Sequence, residues 1–253
     1  MMKCGNKSAE RRGGVQGFTL LELLVTVAVI SVLIAILIPT LSSMRETARK
    51  AVCKSNLGEV YRAVTVYAND HNQRVPLGHR GGRRQWNTMI YSGTSGKYVL
   101  FGRLYVGGYL TKGEVFYCPS ENAESQAFNT NANPWPPGSA GVNVQGGYAS
   151  NPMGDRYDWG FAELPPNGMP RLDRMGIMAL LSDGTGLPDR VDSRHADGVN
   201  TLFTEGSVKW IERKIFDEPL SQIEGVGPQF NPLQDEVWSR LSSQAAGYVP
   251  PME

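Results

Sequence analysis

Gly17-Phe18-Thr19-Leu20-Leu21-Glu22 opens the stretch that decides the fold: residues 18–39 read FTLLELLVTVAVISVLIAILIP, with Glu22 the one charge before Pro39 closes the run. The 21 residues from Phe18 to Ile38 rise as a helix to roughly 30 Å, the thickness of bilayer hydrocarbon. They outrun the roughly 7 to 15 apolar residues of a secretory signal. Ahead of them, residues 1–17 hold Lys3, Lys7, Arg11 and Arg12 against Glu10. That positive excess predicts a cytoplasmic N-terminus with the remainder of the chain outside. A plain signal anchor accounts for the length and the flank but not for Glu22. A carboxylate in hydrocarbon costs about 2.5–3.5 kcal/mol on insertion scales, so it calls for a partner or a function.

Gly17-Phe18 with an acid at Glu22, behind a basic leader and ahead of an apolar run, resembles the recognition sequence of type IV prepilins and type II secretion pseudopilins. The resemblance implies cleavage after Gly17 by a prepilin peptidase, N-methylation of Phe18, and single-pass anchorage in the cytoplasmic membrane with the head outside. It also implies assembly with like or related pilin subunits on an inner-membrane platform, into a filament or pseudopilus in the envelope or on the surface. Residues 1–17 are then a cleaved leader and residues 18–39 the transmembrane assembly helix. Electrostatics gives the spacing a purpose. The new Phe18 ammonium and the Glu22 carboxylate of a neighbouring helix, staggered by one subunit, turn two costly buried charges into one ion pair and fix register.

Pro39 removes a backbone donor and disfavours helix at Ile38, which predicts a kink or local melting there. Beyond it, from Leu41 to Ala68, apolar residues recur at three- and four-residue steps among charged ones. This is the period of an amphipathic stalk helix over 40–72, ended by Asn69-Asp70-His71-Asn72. Residues 73–253 form the head. Of 29 glycines and 16 prolines, most fall after residue 75, so loops are long there. The fold class expected is α+β and pilin-like: a long N-terminal helix packed on a small antiparallel sheet. A formal net charge of +1 supplies no field that draws the chain to nucleic acid, and no nucleic-acid partner is expected.

Three further stretches carry resemblance. Cys53-Lys54-Ser55-Asn56-Leu57 leading to Tyr67-Ala68-Asn69-Asp70 resembles a bacterial pilin-like subgroup marked by C-x-x-N-L, and Val115-Phe116-Tyr117-Cys118-Pro119-Ser120 is a second local match. Outside the cytoplasm Cys53 and Cys118 are candidates for a disulfide, or else two small buried hydrophobes. Cys4 lies in the leader. The segment from His195 through Glu205-Gly206 is similar to the H-x9-DG domain of that subgroup, with Glu205 where aspartate is usual. Its residues 199–203 and 207–211 alternate as a β-hairpin, and the apolar run 177–181 predicts a buried strand before it. A helix is expected near 234–245.

No catalytic motif appears: neither G-x-S-x-G, H-E-x-x-H nor a P-loop is present, so an enzyme is not expected. The three cysteines are too scattered for a legible zinc site, and no cofactor is expected. Asp183 and Asp197 are weak calcium candidates. His195 is expected to bond across the hairpin base. The glycine- and proline-rich stretch 121–171 carries Trp135, Tyr148, Tyr157, Trp159 and Phe161; exposed rings would suit an adhesin or receptor, inward ones would pin the loop to the core. Arg80, Arg83, Arg84 and Trp86 suggest a DNA-uptake pseudopilin, or ordinary solvated arginines on a loop.

Overall fold

The computed structural model describes residues 18–138, 141–153, 157–160, 168–225 and 229–248. The expected leader, with Gly17, and the aromatic Phe161 lie outside the described residues. The chain divides into two units, one ending at Arg45 and one beginning at Glu46.

Helix α1 (Leu20–Asp70) begins in the first unit. Thr19 caps it: its backbone N–H and its hydroxyl both donate to the Glu22 carboxylate at 2.9 Å, and Glu22 N–H donates back to Thr19 Oγ1 at 3.2 Å. This is a capping box, satisfying donors at the helix end. The apolar side chains from Phe18 to Leu41 are exposed, and the segment is long and apolar enough to cross a membrane. The helix is not melted at Pro39; it continues through it. Hydroxyls of Thr40, Ser42 and Ser43 bond carbonyls of Leu37, Pro39 and Thr40 at 2.8–2.9 Å. These bonds give each of those carbonyls an added donor next to the proline.

In the second unit α1 buries Cys53, Leu57, Val60, Ala63, Val64, Tyr67 and Ala68. These positions fall on one face of a 3.6-residue period, and each large apolar side chain so buried contributes about 1.5–3 kcal/mol. Strands β1 (Met89–Ser92) and β2 (Lys97–Tyr98) follow, then the single turn α2 (Arg103–Val106), β3 (Val144–Gln145) and β4 (Tyr148–Ser150). Next come β5 (Ala179–Asp183), α3 (Pro188–His195), β6 (Gly198–Phe203), β7 (Val208–Glu212), α4 (Asp217–Ser221) and α5 (Phe230–Ser242). Two antiparallel sheets result, ordered β2-β1-β3 and β4-β5-β6-β7.

The four-stranded sheet separates two cores. Leu180 and Leu202 join the cluster that holds the buried face of α1, while Val199 and Phe203 join one with Val237, Trp238 and Leu241 of α5. The two-residue period of β6 makes that division. The long loop region turns its rings inward. Tyr148 and Trp159 are fully buried, Trp159 Nε1 donating to the Leu77 carbonyl at 2.9 Å, and Trp135 packs against Tyr105 at 4.9 Å between ring centroids.

Candidate functional site

Cys53 occupies the first buried turn of α1. Three residues on, Asn56 Nδ2 donates to the Tyr117 carbonyl at 3.2 Å, as does the hydroxyl of Tyr148 on β4. Gly147 N–H donates to the Phe116 carbonyl at 2.8 Å, and a Cβ on Gly147 would lie 2.5 Å from the backbone nitrogen of Cys118. Only a glycine admits that approach. These bonds hold the segment 116–118 over α1 and bring Cys118 Sγ to 2.8 Å from Cys53 Sγ. The C-x-x-N-L pattern thereby acquires a physical meaning: the cysteine meets its partner, the asparagine fixes the partner's backbone, and Leu57 enters the core.

His195 closes α3 and points into the same place. Its Nε2 lies 3.3 Å from Cys118 Sγ, 3.4 Å from Cys53 Sγ and 3.8 Å from Asp183 Oδ2. Its Nδ1 is bonded to Glu46 of α1. Asp183, at the end of β5, accepts from the backbone N–H of Asn200 at 2.7 Å and from its side-chain amide at 3.2 Å. The donor atoms of Cys53, Cys118, Asp183 and His195 all lie within 4.8 Å of one another, and all four residues are buried.

The electrostatics is mutual. The hydrogen bond between the sulfurs pulls the Cys118 thiol down to about 5, burial opposing and His195 assisting, while the same bond pushes the Cys53 thiol up. Burial raises Asp183 to about 7, with the negative sulfur of Cys118 adding to it. Burial lowers His195, but the bond to Cys118 and the charges of Asp183 and Cys118 outweigh it and lift the imidazole to about 9.

Several expectations change. His195 does not bond across the hairpin base; its partner is Glu46, and Trp210 of β7 meets its ring edge-on at 5.8 Å. Asp183 and Asp197 are not alike. The first is 1% exposed, whereas the Asp197 side chain is 90% exposed and sits 4.0 Å from Lys50. Glu205 is exposed in the hairpin turn and accepts from Ser207 Oγ at 2.6 Å, so the longer acid is accommodated where aspartate is usual. Gly206 is constrained, with φ at +92° and a would-be Cβ 2.4 Å from the Tyr61 ring. Arg80 and Arg84 are buried instead of solvated, Arg84 pairing with Asp235 at 2.9 Å. Glu46 and Asn200 escaped the sequence: an acid on the polar side of an amphipathic helix and an asparagine in a strand carry no local sign of a distant partner.

Residues 12–38 match the family described as the prokaryotic N-terminal methylation motif. The chain is 36% identical over 61 residues to the ComG operon protein 3 homolog of Bacillus licheniformis, covering 24% of this chain and 63% of that protein. It is 39% identical over 57 residues to the type IV wide pilus major component PilA4 of Thermus thermophilus, covering 22% and 44%. The chain thus spans less than two thirds of the length of either relative. No solved structure matches it.

Proposed function

We propose, from the premise that this chain is prepilin-like over residues 12–38, that it is a structural subunit of a pilin-like filament, a class that includes pili, type II secretion pseudopili and DNA-uptake pseudopili. A prepilin peptidase cuts between Gly17 and Phe18 and Phe18 is N-methylated. The subunit waits in the cytoplasmic membrane with its head outside and is then handed by the assembly platform to its neighbours. Its role is architectural and calls for no catalytic group.

The observation that carries this reading is Glu22: the one charge in an exposed apolar helix, four residues past the expected new N-terminus. In the single subunit Thr19 satisfies the carboxylate. In the filament the Phe18 ammonium of an adjacent subunit replaces that neutral partner with a charged one, and charge-assisted bonds are the stronger. The exposed apolar face packs between helices in the same step. Recovery of the Glu22→Ala variant in sheared filaments tests this. Losing one member of a buried ion pair costs about 3–5 kcal/mol, so incorporation should fall at least roughly a hundredfold while the amount in the membrane is unchanged. Normal incorporation would refute the proposal.

A further inference from the structure

We infer that Cys53, Cys118, Asp183 and His195 form a structural metal site, with zinc the divalent ion that fits them. This reverses the expectation that the cysteines are too scattered to bind metal: they lie 65 residues apart in sequence but meet in the fold. Two sulfurs, an imidazole nitrogen and a carboxylate oxygen are a donor set for zinc, which takes four such ligands tetrahedrally in closed sites. The sulfurs argue against calcium, which takes oxygen.

The surroundings carry the inference beyond proximity. His195 presents Nε2 to both sulfurs because Nδ1 is held by Glu46; a carboxylate behind a ligating histidine fixes its tautomer and orientation. Asp183 Oδ2 is held by Asn200, while its Oδ1 is buried without a hydrogen-bond partner. A buried carboxylate oxygen left so is costly, and an ion at the centre of the four groups gives this carboxylate the partner that the protein does not. A disulfide between Cys53 and Cys118 would use two of the four groups and leave Asp183 Oδ1 buried without a partner. On binding, whatever protons the two sulfurs, the Asp183 carboxyl and His195 Nε2 carry go to solvent, so that two thiolates, a carboxylate and a neutral imidazole ligate, with no change of oxidation state. All four positions are protein ligands, so no open site for catalysis is left.

The test uses the full chain carrying Cys4→Ser, extracted in detergent from the membranes of producing cells, incubated with zinc chloride and desalted. One zinc per chain should be retained. Two thiols should titrate in denaturant and chelator without reductant. X-ray absorption should show two sulfur neighbours at about 2.3 Å and nitrogen or oxygen neighbours at about 2.0–2.1 Å. Glu46→Gln should weaken retention about 10- to 100-fold, as loss of a group orienting a ligand does. Should that variant misfold, the stoichiometry and sulfur neighbours of the parent chain decide alone. Thiols that appear only after reduction mean a disulfide and overturn the site. Free thiols with no zinc retained, or zinc held without sulfur neighbours, overturn it equally.

Discussion

Glu22 and Asp183 are both carboxylates called on to leave water, Glu22 in the proposed membrane-anchored subunit and Asp183 on folding. Glu22 finds a partner three residues away, in Thr19. Asp183 sits among Asn200, 17 residues on, His195, and two cysteines whose own separation is 65. The N-terminal region thus settles its charge within one helical turn and leaves its apolar surface exposed. The head settles its charge by closing long loops, a cost recovered only through the packing that holds them shut. Assembly and folding should therefore be separable by mutation.

The sharpest break between them is expected at Trp159. Its ring is fully buried and its Nε1 bonds the Leu77 carbonyl. Trp159→Ala should lower head stability by about 3–5 kcal/mol, seen as a shifted denaturation midpoint, with the proposed cleavage between Gly17 and Phe18 the same as in the parent by N-terminal sequencing. A smaller loss, about 1–1.5 kcal/mol, is expected for Asn56→Ala, which removes one of the two donors to the Tyr117 carbonyl and leaves that of Tyr148. That variant should also expose Cys118 to alkylating reagents faster than the parent. Thr19→Ala is the smallest and tests the other region: removal of a cap hydroxyl costs about 1 kcal/mol, read as faster amide exchange confined to the first turn of α1, with the midpoint of the head unmoved. Equal effects of Thr19→Ala and Trp159→Ala on the head would erase the distinction.

What could be read in the sequence follows the same division. The membrane-length run, the end of α1 near Asp70, the hairpin of β6 and β7, and the helix α5 all announce themselves through local period or punctuation. The small sheet β2-β1-β3 does not: Met89 to Ser92 are all buried, so no alternation marks the strand. Pro39 misled because it deletes a single helical bond, and a proline weighed alone omits the long helical run on either side that carries α1 through it. In the site, His195, Asp183 and both cysteines stood out as residue types, yet their juxtaposition, and the presence of Glu46 and Asn200, rests on contacts spanning up to 149 residues, which no window of sequence contains.

Thr19 donates both an N–H and a hydroxyl to Glu22, and in a filament of the proposed kind this bears on departure as much as on entry. A subunit that lets go of its neighbour's ammonium has its own acceptor-satisfying donors at hand and strands no bare carboxylate in lipid. Detachment is then an exchange of one set of bonds for another, reversible in principle, and the same subunit can return to the bilayer and be used again.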